Sequence, residues 1–118
     1  KPQSIQYDRE DIILNGFVFI RKPDGTATTN FPQILSKHSY GLEWGYGGSG
    51  CADAALNVLY ICMEIYGIGS REFRLNLASE LYQDFKWKFI ATMPECGGVI
   101  PLKAVLDYIK RHFESEPT

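Results

Sequence analysis

From Cys51 to Tyr66 every position is apolar except Asp53, Asn57 and Glu64. Those three fall at intervals of four and seven, so on a helix they form one narrow stripe. A helix apolar on all its other sides is wrapped by the rest of its domain. The pattern predicts a central helix that begins near Gly50 or Cys51. Gly67 and Gly69 suit its C-terminal cap. It is too short, and carries too many polar groups, for a membrane span.

Ahead of this helix the pattern is that of strands. Ile5 and Tyr7 alternate within Lys1 to Asp11 and predict a short edge strand. Ile12 to Lys22 follows, with the strand formers Phe17, Val18, Phe19 and Ile20. Asn15-Gly16 inside it favours a hairpin turn or a bulge. Pro23-Asp24-Gly25 is a turn, and Thr26 to Asn30 returns as a further β segment. The first thirty residues thus read as an antiparallel meander. Pro32 to Leu35 fits a helical turn, and Leu42 to Trp44 one more short strand.

Behind the helix, Ser70 can cap a second one, with Phe73, Leu77 and Leu81 at spacing four and an end near Asp84. Phe85, Trp87, Phe89 and Ala91 alternate with Lys86 and Lys88, which predicts a half-buried strand. Met93 to Gly98 reads as a loop. Pro101 suits the first position of a third helix, whose apolar face is Leu102, Val105, Leu106, Ile109 and Phe113. Lys110, Arg111 and His112 in its last turn suit the helix dipole, and Glu114 to Thr118 should fray. Together these elements predict an α+β fold: a small antiparallel sheet packed against a central buried helix and two further helices, one domain over residues 1–118.

Composition narrows the function. The chain has 118 residues, enough for a core of its own. A formal net charge of −2 argues against duplex nucleic acid as a partner, which calls for a basic face. Cys51, Cys62 and Cys96 are an odd count without paired spacing, which fits a reducing cytoplasm. No signal peptide or membrane segment shows, so no membrane partner is expected. Cysteines and histidines lack metal-ligand spacing, and neither metal nor cofactor is expected.

The candidate chemistry sits just before the central helix. Gly45, Gly47, Gly48 and Gly50 lie within six residues, interleaved with Trp44, Tyr46 and Ser49. Glycines let a backbone turn sharply or come close to another group. Gly45, Gly47 and Gly50 match the spacing of a dinucleotide-binding loop, but the strands ahead are antiparallel and no βαβ unit surrounds them. A P-loop lysine is absent, and Glu43 and Asp53 flank the loop with negative charge. Cys51, at the helix start, has the position of an activated thiol. A nucleophile needs a base, and only His38 could reach it from a nearby loop. The commoner fate of such a cysteine is burial. Phe85 to Phe89 interleaves lysines with aromatics as single-strand binding surfaces do, though one strand makes no basic groove.

The string WGYGGSG at Trp44 to Gly50, followed by ADAALNVL at Ala52 to Leu59, resembles a family of small uncharacterised bacterial proteins. Members are also met in phages and mobile elements. LYQDFKW, Leu81 to Trp87, is similar to the family's second patch. Members usually carry proline in place of Cys51 and leucine in place of Ala54. Proline at a first helical position is structural, which counts against a family-wide cysteine nucleophile. The resemblance implies that the glycine loop and Trp44 belong to what the family shares. It implies no activity, substrate or cofactor.

Two functions fit these residues. The favoured one is a non-enzymatic interaction module that contacts a protein partner, or a second copy, through the loop. Trp44, Tyr46, Gly47, Gly48, Ser49, Gly50, Cys51 and Asp53 form its candidate site, with Trp44 and Tyr46 as anchors. The other is an enzyme that binds a small molecule, nucleotide or phosphate on the backbone N–H groups of Gly47 to Cys51. A buried Trp44 with no pocket at the loop would remove the enzyme's site. A concave pocket holding an anion would weaken the interaction module.

Overall fold

A computed structural model describes residues 7–38 and 41–114 of the chain. Helix α1 (Arg9–Asn15) leads into a hairpin of β1 (Phe17–Arg21) and β2 (Ala27–Thr29). After an irregular segment come the long helix α2 (Ser49–Tyr66) and α3 (Arg71–Phe85). A π-helical segment, Lys86–Ile90, extends α3; β3 (Gly97–Ile100) and α4 (Leu102–Glu114) complete the chain. The fold is α+β. The sheet order is β2-β1-β3, with both pairings antiparallel.

Helix α2 is the centre, as its pattern predicts. Every residue from Gly50 to Met63 is buried, Asp53 and Asn57 included. Gly67 stands at its C-cap, with its amide on the Glu64 and Met63 carbonyls. Phe17, Phe19 and Ile100 from the sheet, Leu77, Leu81 and Phe85 from α3, and Val105 and Ile109 from α4 share its core. Phe31 meets Phe17 and Phe19 edge-on, at ring separations of 5.3 and 5.4 Å.

The polar stripe of α2 fastens the chain that precedes it. Asn57 accepts the amides of Ile34 and Leu35 on Oδ1, at 2.7 and 2.8 Å, and donates from Nδ2 to the Leu35 carbonyl at 2.8 Å. Its second Nδ2 bond, at 2.7 Å, goes to the Asp53 carbonyl. Asp53 accepts the amides of Lys37 and His38. Glu64 accepts the Tyr7 hydroxyl. Burial, and then that carboxylate, push the Tyr7 phenol upward. Buried polar atoms need partners, and here they find them in a segment with no ladder of its own.

Several local expectations are corrected. Residues 9–15 form a helix instead of completing a strand. Asp8 caps it by accepting the Asp11 amide at 3.1 Å, and Glu10 and Asp11 suit its first turn. The Gly16 amide returns to the Ile12 carbonyl at 2.8 Å, so Asn15-Gly16 ends a helix rather than turning a hairpin. Pro32 to Leu35 is irregular, because Asn57 takes the amides a helical turn would use. Leu42 to Trp44 is irregular too, since Glu43 and Gly45 bond to Gly50 and Ile90 instead of to a neighbouring strand. Phe85 to Ala91 continues α3 as a π-turn, with the Ala91 amide on the Lys86 carbonyl at 2.8 Å. The loop expected from Met93 to Gly98 stops at Cys96; β3 begins at Gly97 and pairs with β1. The edge strand through Ile5 falls outside the described residues. So does the expected fraying, apart from Glu114, which closes α4.

Candidate functional site

Trp44 is not a surface anchor. It is 1% exposed, meets Phe19 edge-on at 5.3 Å and donates from Nε1 to the Glu95 carbonyl at 3.0 Å. The Arg21 guanidinium lies over the ring, 4.6 Å from its centre. Arg21 also pairs with Glu43 at 2.7 Å and donates to the carbonyls of Glu95 and Gly25. A cleft of about 460 Å³ opens here, between Arg21, Glu43, Trp44 and Tyr46. Its one guanidinium is already spent on the protein's own oxygens.

Hydrogen bonds from Arg21 hold the Glu43 carboxyl below its ordinary range. A folded-state pKa that is lowered adds stability above the unfolded value and loses it as pH falls through the folded one. Glu43→Gln is therefore expected to flatten the acid limb of the stability curve below about pH 4.5. Urea midpoints measured from neutral to acid pH check this. An acid limb as steep as that of the parent chain would contradict the pairing.

The glycine run is shaped more by contact than by torsion. Only Gly45 of the four has a left-handed backbone, with φ 88°. A Cβ on Gly47 would lie 2.2 Å from the Trp87 ring, and one on Gly48 would lie 2.3 Å from the Tyr46 ring. The two aromatic rings thus rest on bare backbone. Both remain open to solvent, Tyr46 at 53% and Trp87 at 58%. Between loop and π-turn runs Lys86, only 6% exposed. Its ammonium donates to the Gly47 carbonyl at 3.3 Å and sits 4.5 Å from the Trp87 ring centre. The Gly45 amide bonds the Ile90 carbonyl at 3.0 Å, a second tie between the two segments.

The amides that follow the loop have a partner close by. Cys51 and Ala52 donate to the Gly48 carbonyl at 3.1 and 3.0 Å. Burial raises the Cys51 thiol, and the nearby backbone of Tyr46 and Gly48 pulls it back only in part. A raised thiol pKa is the reverse of what a nucleophile needs. His38 places its ring on the Tyr82 hydroxyl, 2.8 Å from Nε2. Asp53 lies at the loop clamp described above, away from any open surface. Ser49 opens α2 behind the Gly48 N-cap, and Gly50 packs against Glu43.

The structure therefore brings Tyr46, Gly47 and Gly48 together at the surface and withdraws Trp44, Cys51 and Asp53 into the interior. It adds Trp87 and Lys86, which the alternation of residues 85–91 had assigned to a strand. The better signal was Leu81, Phe85 and Phe89, four apart, which continue the preceding helix. Among the described residues no group of three or more His, Cys, Asp or Glu side chains could hold a metal ion. No helix among them is long and apolar enough to cross a membrane.

No curated protein and no solved structure matches the chain. A family model does match, over residues 13–111, and takes in the hairpin, the glycine loop, the π-turn and nearly all of α4. The chain belongs to that family, a family of unknown function (DUF6166).

Proposed function

We propose that the protein is an interaction module that receives a protein partner, or a second copy of itself, on the face made by Tyr46, Trp87 and the glycine loop. One observation carries this reading: two large aromatic rings, each about half exposed, are seated on glycines with no room for a side chain beneath them. Aromatic residues held rigidly at a surface supply much contact energy at little entropic cost. A glycine backbone under each ring also keeps the face flat enough for another surface to approach. The alternative, an anion-binding enzyme, loses support because the amides of Cys51 and Ala52, at the start of the helix, already donate to the Gly48 carbonyl. The cleft beside the loop has its cation engaged by Glu43. A cytoplasmic setting goes with the proposal, supported by the free Cys51, Cys62 and Cys96.

The test is a selection from a random peptide display library, run beside sedimentation of the chain over a range of concentrations. Enriched peptides, or self-association, should weaken about thirty-fold or more in the Tyr46→Ala/Trp87→Ala double variant, the loss of two hot-spot residues. Circular dichroism confirms that the variant is folded. Failure to enrich any peptide together with a monomer at all concentrations overturns the reading. So does binding that the double variant leaves unchanged.

A further inference from the structure

A second site lies on the other side of the π-turn, in a cleft of about 470 Å³ between α3 and α4. This volume is within the range of small-molecule pockets. Its wall is aromatic. Phe89 stacks on Phe85 at 4.6 Å and 24°, and Tyr108 meets Phe89 edge-on at 5.8 Å and 85°. Tyr108 is fixed by its hydroxyl, which donates to Asp84 at 2.7 Å. Burial, with Asp84 adding to it, pushes this phenol upward, so it stays protonated and keeps donating.

The rim carries two carboxylates, Glu80 and Asp84, and two permanent cations, Lys88 and Arg111. Asp84 is taken by Tyr108 and by Lys88, whose ammonium lies at 3.1 Å. Glu80 faces His112 at 3.6 Å. Arg111 also lines the cleft, and among the described residues its guanidinium has no ion pair and no side-chain hydrogen bond. Asp84 thus has two partners within the rim, and the cation left without one is planar and carries several donors. Guanidinium forks match carboxylate and phosphate oxygens in pairs. A flat apolar wall beside such a fork calls for a ligand with both properties.

We infer that the α3–α4 cleft binds a small organic anion with a flat apolar body, its ring on Phe89 and Tyr108 and its carboxylate or phosphate on Arg111. This site is independent of the glycine-loop face. The π-turn sends Lys86 and Trp87 to that face, and Lys88 and Phe89 to this cleft.

The probes are 2-naphthoate, 2-naphthyl phosphate and neutral 2-naphthol, titrated into the full ¹⁵N-labelled chain and followed by amide shifts. The two anions should saturate at millimolar concentration or below and move amides of residues 80–89 and 108–112. The order of their affinities identifies the preferred head group. Arg111→Gln should weaken both anions about tenfold, the value of one charged hydrogen bond, and Lys103→Gln should leave them unchanged. Equal binding of 2-naphthol overturns the role of Arg111. Shifts confined to the surroundings of Tyr46 and Trp87, shifts scattered over the surface, or none at all overturn the site. Because Arg111 is exposed, loss of folding is not expected. A Phe89→Leu variant, expected to weaken all three probes, tests the wall separately.

Discussion

Alanine at Gly97 is expected to cost about 4 kcal/mol, seen as a fall in the urea midpoint without a change of slope. Gly97 opens β3 opposite Ile20, with φ 118°. A Cβ there would lie 1.9 Å from the Phe19 carbonyl oxygen and 2.8 Å from its carbon. Those are backbone atoms of the central strand, so no side chain can swing aside to make room. Relief requires β3 to part from β1, and Phe17, Phe19 and Ile100 are buried across that pairing. Gly25 is the comparison. It has φ 91° and nothing within 4 Å of a Cβ, so Gly25→Ala isolates the torsional part at about 1 kcal/mol. Equal effects at the two positions would show that the close approach in the sheet carries no energy.

Asn57→Leu is the other large effect, expected near 3 kcal/mol. Leucine has nearly the same shape but makes none of the four hydrogen bonds of the amide. The Ile34 and Leu35 amides and the Leu35 carbonyl then lose partners in a place water reaches poorly. Buried polar groups left unpaired cost more than the bonds themselves contribute. Chemical denaturation gives the size. Hydrogen exchange gives the place: the amides of Ile34 and Leu35 should lose protection well before those of α2. A variant as stable as the parent, with Leu35 still protected, would mean that the clamp is incidental.

The helices and the core were legible because their signals are local and repeat. Fourteen consecutive buried residues of α2 follow from a run with almost no polar breaks. The Ser70 cap, whose hydroxyl accepts the Phe73 amide at 3.1 Å, and Pro101 before α4 can be read from single residues. What stayed hidden depends on partners distant in the chain. β3 is Gly-Gly-Val-Ile, a poor strand by composition, and it forms because β1 offers an edge roughly eighty residues away. Arg9 to Asn15 holds two apolar residues in solvent, Ile13 and Leu14, which blurred its helical period. In Phe85 to Ala91 a π-turn spreads the residues differently from either regular period, and period two imitated a strand.

The candidate site was half legible for the same reason. Clustered glycines announced a crowded backbone but not the identity of the crowding group. Trp44, adjacent in sequence, goes inward because its indole N–H finds the Glu95 carbonyl. Trp87, forty residues on, takes the outer place. Asp53 looked like part of a loop site, yet its carboxylate secures the segment before it.

The two indoles flank one loop in opposite surroundings, Trp44 sealed against Phe19 and Trp87 open to water. They are the only two in the chain. Emission from the first reports on the interior and emission from the second on the outer face, so an added quencher separates the two signals. The molecule thus carries, without any label, a paired optical gauge of what happens inside it and what arrives from outside.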